Sequence, residues 1–158
     1  ISSLSKGMQM KLMLAVALAH NSQTLILDEP TSGLDPISRN ELLEILQEFV
    51  QTESNSVIFS THITNDLEKI ADYIIYLNKG KIDYSGTKDM FLENYRIVQG
   101  PKSKLRQGIE KFMIANETSN YGFKSLIETK NISNFKNDDF QILSPSIEEI
   151  MIFKNKNK

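Results

Sequence analysis

Two adjacent carboxylates end a short apolar run early in the chain. Residues 24–30 read TLILDEP, so Asp28 and Glu29 precede Pro30, which cannot extend a strand ladder. This pattern predicts a buried strand whose carboxyl end, in a parallel α/β sheet, borders the ligand crevice. Alternation along the strand points the two side chains to different sides, so one can hold Mg²⁺ while the other acts on water. The alternative is a plain polar exit from a strand.

A serine and a glycine precede the first long apolar run. Residues 4–8 read LSKGM, and the helix formers that follow predict a buried helix starting near Met8. The free N–H groups and the positive dipole end of such a start favour an anion, and Gly7 allows a close approach. In the alternative, Ser5 is only a helix cap.

Two further polar residues lie at the ends of predicted elements, one after a strand and one before a helix. His62 comes after the β-branched and aromatic run SVIFS at residues 56–60, which places a second polar group at the strand-end crevice. A lone histidine after a strand is more often structural. Asp35 stands before Pro36, the pattern of an N-cap followed by proline at the first helical position.

The elements that hold these residues alternate between strand and helix. After Pro36, apolar residues recur at three- and four-residue steps and predict a helix that packs on the sheet. The strand at 56–60 and a short helix at 63–71 continue this order and predict a parallel α/β sheet. The predicted apolar face of the helix after Pro36 consists of Leu42, Ile45, Leu46, Phe49 and Val50.

The sequence changes character near Tyr95. Before this point a hairpin around the turn NKG at 78–80 and a helix at 88–95 are predicted. Beyond it, Gly, Pro and Asn break the chain into short pieces, so we predict domains at 1–95 and 96–158. The second is a small α+β extension with strands at 96–99, 122–128 and 140–143, helices at 105–115 and 145–153, and a solvated tail at 155–158.

The composition narrows the classes of function. The 158 residues, 40% hydrophobic and 24% charged, predict one ordinary globular domain with a small appendage. The net charge of -2 gives no electrostatic case for nucleic acid, and the absence of cysteine excludes disulfides and thiolate metal sites. The longest apolar stretch, 12–19, is too short to cross a bilayer, so a membrane role requires a partner. The opening ISS is unlike a secretory leader and predicts a start in mid-domain.

Taken together, four segments resemble the nucleotide-binding domain of ABC transporters. They are LSKGM at 4–8, LILDEP at 25–30, SGLD at 32–35 and STH at 60–62, in the family's order and spacing. The resemblance covers Leu4 to about Tyr95. It implies an α/β fold, part of the P-loop NTPase sheet with flanking helices, with ATP and Mg²⁺ as cofactors.

The resemblance also implies a role for each candidate residue. Asp28 matches the Walker B aspartate that holds Mg²⁺ through water, Glu29 matches the general base, and His62 matches the switch histidine at the γ-phosphate. This set suits phosphoryl transfer, which needs charge neutralisation and an oriented nucleophile. Ser5, Lys6 and Gly7 match the signature that closes over the nucleotide of the opposite subunit, and Asp35 ends the loop that links the two sites.

Three departures from the family pattern refine this prediction. In the signature, Lys6 replaces a glycine and Met8 replaces a glutamine, a variant similar to that of bacterial exporters whose permease is a separate chain. No G-x-x-x-x-G-K-[ST] phosphate loop occurs, so we expect the C-terminal part of a longer subunit, inactive alone. The implied partners are a second nucleotide-binding domain, identical or not, and a transmembrane permease at the inner face of the membrane.

Two other functions stay open at this stage. One is a soluble ABC-type ATPase of translation or repair, although translation proteins carry Asn-His where Ser32-Gly33 stands, and repair ATPases carry coiled-coil insertions. The other is a non-catalytic piece that binds partners, which the missing phosphate loop favours and the presence of Glu29 and His62 opposes. The transported substrate is not encoded in this part of the subunit.

Overall fold

The computed structural model describes residues 4–105, 108–136 and 139–156. The chain forms two compact units that divide after Ile70. Each unit has its own sheet or sheets and its own buried residues. No helix within the described ranges is long and apolar enough to span a membrane.

The first unit is built on a pair of parallel strands. Strands β1 (Thr24–Asp28) and β2 (Ser56–Ser60) pair in register, with Asp28 beside Ser60, so both strands end at the same edge. Helix α1 (Lys6–Ala19) precedes β1, α2 (Pro36–Val50) connects the two strands, and α3 (Thr64–Ile70) follows β2. The alternating α/β order predicted from the sequence is confirmed.

Helix α2 supplies much of the core of the first unit. Leu42 and Leu46 are fully buried and pack with Leu14 of α1 and Leu25 of β1. Of the predicted face, Ile45 and Phe49 join this cluster, whereas Val50 is exposed at the end of the helix. The recurrence of apolar residues at helical spacing therefore located the buried face correctly.

The prediction of a buried helix α1 is wrong. Only Gly7 and Leu14 are buried in it, and Met13 and Val16 are 65% and 54% exposed. A helix that is apolar on most sides can place only one side against a single sheet within the unit, so its other apolar residues stay at the surface. The helix also begins at Lys6, two residues before the predicted start.

The second unit begins with a hairpin. Strands β3 (Tyr73–Asn78) and β4 (Lys81–Thr87) are antiparallel, and Lys79 and Gly80 of the turn have φ angles of 49° and 74°. Two successive positive φ angles are typical of the two-residue turns whose twist matches a hairpin. Helix α4 (Lys88–Glu93) follows, and the predicted hairpin and helix are thus confirmed.

A four-stranded antiparallel sheet occupies the rest of the second unit. Its strands lie in the order β6-β7-β5-β8, and helix α5 (Ile147–Lys156) ends the described chain. The predicted strands at 96–99, 122–128 and 140–143 are confirmed. The strands are β5 (Tyr95–Gly100), β6 (Met113–Ser119), β7 (Gly122–Glu128) and β8 (Gln141–Leu143), with short 3₁₀ turns at Lys102–Lys104, Glu110–Phe112 and Thr129–Phe135.

One prediction in this unit is wrong, and one helix is longer than predicted. The helix expected at 105–115 is a 3₁₀ turn followed by β6, because pairing with β7 along the sheet outweighs local helix propensity; positions 106–107 lie outside the described residues. The last helix, expected to end at Phe153, runs to Lys156, so the exposed residues 155–156 of the predicted solvated tail are helical; 157–158 lie outside the described residues. The domain boundary predicted near Tyr95 falls where β5 begins and stays a prediction.

Candidate functional site

Four polar residues meet where β1 and β2 end. Asp28 is the last residue of β1 and Ser60 the last of β2, and Glu29 and His62 follow them. We call these residues the strand-end cluster. The parallel register brings them together, because it sets Asp28 directly beside Ser60.

Asp28 presents a carboxylate that is restrained on one side and open on the other. The Ser60 hydroxyl donates to Asp28 Oδ1 over 2.5 Å, and the aspartate side chain is otherwise exposed. Mg²⁺ is commonly held by one or two carboxylates together with waters and substrate phosphates, so one oriented carboxylate fits it. The described residues contain no group of three or more His, Cys, Asp or Glu that could hold a metal, so without a nucleotide Asp28 offers a metal ion only a weak, single-carboxylate contact.

Glu29 lies in a turn outside the strand. Its φ of 46° is in the left-handed region, which non-glycine residues seldom adopt. Strand β1 ends at Asp28, so strand alternation does not determine where Glu29 points, and the division of the two side chains between different sides stays a prediction. Glu29 Oε2 lies 2.7 Å from His62 Nδ1. Because an ionised carboxylate can only accept, Nδ1 donates to it and leaves Nε2 available to a ligand.

The residues of the predicted signature begin helix α1. Ser5 Oγ accepts the N–H of Met8 over 3.2 Å, so the capping interpretation of Ser5 is confirmed. Gly7 is buried against helix α2, where a Cβ would lie 2.6 Å from Ser38 Oγ. Lys6 extends its ammonium over Gly33, where a Cβ would lie 2.6 Å from Nζ. Gly7 and Gly33 thus permit close packing at the start of α1.

Asp35 is the N-cap of helix α2, as predicted. Its Oδ1 accepts the N–H groups of Ile37 and Ser38, each over 3.0 Å. The hydrogen bond from the Ser38 backbone is the largest cause that lowers the pKa of the Asp35 carboxyl below its usual value. Ser38, whose N–H donates to Asp35, also lies against Gly7. Asp35 is therefore close to the start of α1.

The structure thus places the seven predicted residues in two clusters. Asp28, Glu29 and His62 belong to the strand-end cluster. The other four, Ser5, Lys6, Gly7 and Asp35, lie around the starts of α1 and α2, where Ser38 and Gly33 join them.

Sequence reasoning missed a buried polar network that includes Thr31, two residues after Glu29. Asp66 has no exposed surface; it accepts from Thr31 Oγ1 over 2.6 Å and from Arg39 Nε over 2.6 Å. The Arg39 guanidinium also pairs with it through Nη2. Asp66 lies three residues after Ile63 and four before Ile70, at the spacing that puts residues on one side of a helix. An acidic residue on this apolar side was the sequence signal that could have revealed the network.

Sequence comparison finds similarity to transport ATPases. A family model described as "AAA domain, putative AbiEii toxin, Type IV TA system" matches residues 1–68. The lantibiotic transport ATP-binding protein SrtF of Streptococcus pyogenes is 38% identical over 94 residues, covering 57% of this chain and 41% of SrtF. The ABC transporter ATP-binding protein NatA of Bacillus subtilis is 33% identical over 96 residues, covering 61% of this chain and 39% of NatA. The chain thus spans about two fifths of the length of these relatives.

A solved structure supports the same fold. It is described as "An inward-facing conformation of a putative metal-chelate type ABC transporter", with a TM-score of 0.54 and 25% identity over 80% of this chain and 48% of that one. The chain therefore has the α/β fold of part of an ABC-type ATPase. In sequence it is similar to ABC transporter ATP-binding proteins over somewhat more than half of its length, the class that the order of its motifs resembles.

Proposed function

We propose that these residues form the signature, Walker B and switch part of the ATP-hydrolysing subunit of an ABC transporter. The observation that carries the proposal is the strand-end cluster. It brings together a carboxylate open to a metal, a second carboxylate and a histidine at the crevice edge of two parallel strands. The general role agrees with the homologues, which are ATP-binding subunits of transporters.

In this proposal Glu29 is the general base. Its carboxylate oxygens can accept the proton of an attacking water, and the contact with His62 Nδ1 holds one of them in place. With Nδ1 engaged by Glu29, His62 Nε2 is the ring nitrogen left for the terminal phosphate, to which it can donate only when both ring nitrogens carry a proton. Asp28 would hold Mg²⁺, which when bound neutralises charge on the phosphates.

Ser5, Lys6, Gly7 and Asp35 are proposed to serve the nucleotide of a second nucleotide-binding domain. The start of α1 offers backbone N–H groups and the positive end of the helix dipole to an anion, and the exposed Lys6 ammonium adds a positive charge. Function then requires two such domains, identical or different. The LSKGM signature leads us to propose an exporter-type subunit that works with a separate permease at the inner face of the membrane.

The test is a substitution of Glu29 in a subunit that joins these residues to a phosphate loop. Glu29→Gln should retain ATP binding and reduce hydrolysis by at least about 10²-fold, the loss typical of a positioned acid or base. The 158 residues alone provide the baseline, and without that loop we expect calorimetry to show no Mg-ATP binding tighter than roughly 1 mM. Near-normal turnover of Glu29→Gln would remove this residue from the mechanism.

A further inference from the structure

Ser60 contacts both carboxylate residues of the strand-end cluster. Its Oγ lies 2.5 Å from Asp28 Oδ1 and 2.9 Å from the backbone nitrogen of Glu29. A hydroxyl has one proton to donate and lone pairs that accept. The Glu29 N–H can only donate, so Ser60 Oγ accepts from it and directs its own proton to Asp28. One hydroxyl therefore bonds two neighbouring residues, each in a defined direction.

The bond to Asp28 fixes the orientation of the proposed metal carboxylate. With Oδ1 engaged by Ser60, rotation of the carboxylate is restrained and Oδ2 remains for other contacts. Groups that hydrogen-bond to ligating carboxylates orient them, and their loss typically weakens metal binding by 10- to 100-fold. Ser60 is the group that hydrogen-bonds to the Asp28 carboxylate and orients it.

The bond to Glu29 stabilises an unfavourable backbone conformation. Glu29 has a φ of 46°, and its N–H is held by two acceptors of one residue, Ser60 Oγ at 2.9 Å and the Ser60 carbonyl at 3.2 Å. The left-handed turn directs the Glu29 side chain to His62 Nδ1. A weaker hold on the N–H would allow Glu29 to relax towards the ordinary β or α regions, away from His62.

We propose that Ser60 is a positioning residue that sets both carboxylates of the site, through the side chain of Asp28 and the backbone of Glu29. The metal role of Asp28 rests on the proposed function, whereas the hold on Glu29 does not. In this role Ser60 acts through Asp28 and Glu29.

The chain provides a matched control on the same strand. Ser56 lies on the same face of β2, and its Oγ is 3.0 Å from Thr24 Oγ1, a side-chain bond of the same kind that touches neither carboxylate. Ser60 is exposed, so Ser60→Thr retains the hydroxyl and places its methyl group in solvent. A β-branched residue also suits a strand. The variants to compare are therefore Ser60→Ala, Ser60→Thr and Ser56→Ala.

The first measurement is NMR on the full 158-residue chain without metal. Ser60→Ala should speed hydrogen exchange of the Glu29 amide roughly threefold to tenfold, the effect of one lost hydrogen bond, and shift the Asp28 carboxyl and His62 imidazole resonances. Ser60→Thr should restore the wild-type values, and Ser56→Ala should leave these three signals unchanged. If Ser60→Ala left them at their wild-type values, the proposal would be overturned.

The second measurement uses Mn²⁺ alone as the probe. In the wild type, paramagnetic broadening should be centred on Asp28, and Ser60→Ala should require roughly tenfold more Mn²⁺ for the same broadening. Broadening centred on Asp28 that is equal in Ser60→Ala and wild type would overturn the positioning of Asp28 and leave the proposed function intact. No broadening at Asp28 in the wild type would count against the proposed metal role, and the exchange of Glu29 would then decide the role of Ser60 alone.

Discussion

The two units of the chain differ in where they bury polar and apolar groups. In the first, Thr31 and Asp66 are buried polar residues, and Ile26 and Ile58 stand side by side on an exposed sheet face. In the second, Ser125 is the buried polar residue among those described, and aromatic rings such as Phe91 and Phe135 are fully enclosed. The first unit thus adds a buried side-chain network to its apolar core, and the second encloses aromatic rings while also exposing Ile75 and Leu77 on β3.

The same difference is seen in the backbone. Glu29, the non-glycine residue with positive φ at the strand-end cluster, is held by side-chain and backbone bonds to Ser60. In the second unit Lys79 adopts positive φ in a hairpin turn that needs no such support, because that turn type requires it. Strain at a functional site has to be stabilised by its surroundings. The bonds from Glu29 to Ser60 therefore hold the backbone geometry of the proposed site.

The largest loss in the free energy of unfolding is expected from a substitution in the apolar core of the second unit. Phe135 has no exposed surface, and its ring meets Phe140 edge-on with centroids 5.5 Å apart. Phe135→Ala should lower the free energy of unfolding by about 3–5 kcal/mol, through lost transfer energy and the cavity left behind. Chemical denaturation measures this, with Tyr121→Ala, at a 98% exposed position, as the control within about 0.5 kcal/mol. Equal losses in the free energy of unfolding for the two variants would contradict a stabilising role of the enclosed rings in the second unit.

A smaller loss is expected from the buried polar network of the first unit. Asp66→Asn removes the charge that accepts from Arg39 and Thr31, and should cost about 1.5–3 kcal/mol, as for hydrogen bonds to charged groups. The control is Glu41→Gln, which removes an exposed ion pair with Lys11 and should cost under about 1 kcal/mol. If denaturation showed the same loss in the free energy of unfolding for both variants, the buried hydrogen bonds of Asp66 would stabilise this unit no more than an exposed ion pair does.

The smallest change in the free energy of unfolding is expected from a charged helix cap in the second unit. Ser146 and Glu149 form a reciprocal cap at the start of α5, with Glu149 Oε2 accepting the Ser146 N–H and Ser146 Oγ accepting the Glu149 N–H. Burial alone would raise the pKa of Glu149, but hydrogen bonds from Lys124 and the Ser146 backbone outweigh it and lower the pKa. Glu149→Gln should cost about 1 kcal/mol at neutral pH.

The lowered pKa of Glu149 also sets the pH dependence of this contribution. Since the folded pKa lies below the unfolded one, the stabilisation is present above the unfolded value, near 4.3 for a glutamate, and is lost as pH falls through the folded pKa. Unfolding of wild type and Glu149→Gln at neutral pH and near pH 3 should show the difference shrinking in acid. The neighbouring exposed Glu148→Gln is the control. A difference that stays constant with pH would contradict this assignment.

The sequence by itself determined the features that depend on neighbouring residues. Asp35 before Pro36 predicted a capped helix start, Lys79-Gly80 predicted the hairpin turn, and Pro30 marked the end of β1; all three are confirmed. The order of the motifs also pointed to the ABC transporter ATP-binding proteins, to which the chain is similar. Such signals act over a few residues, where propensity and turn chemistry decide the structure.

Only the tertiary structure decided which distant residues meet. Ser60 faces Asp28 from 32 positions away, and Asp66 meets Thr31 from 35 positions away, through strand register and helix packing that no local pattern encodes. The same cause accounts for the wrong predictions. Residues 113–119 became a strand because β7 was there to pair with, and α1 stayed exposed because one sheet can cover only one side of a helix.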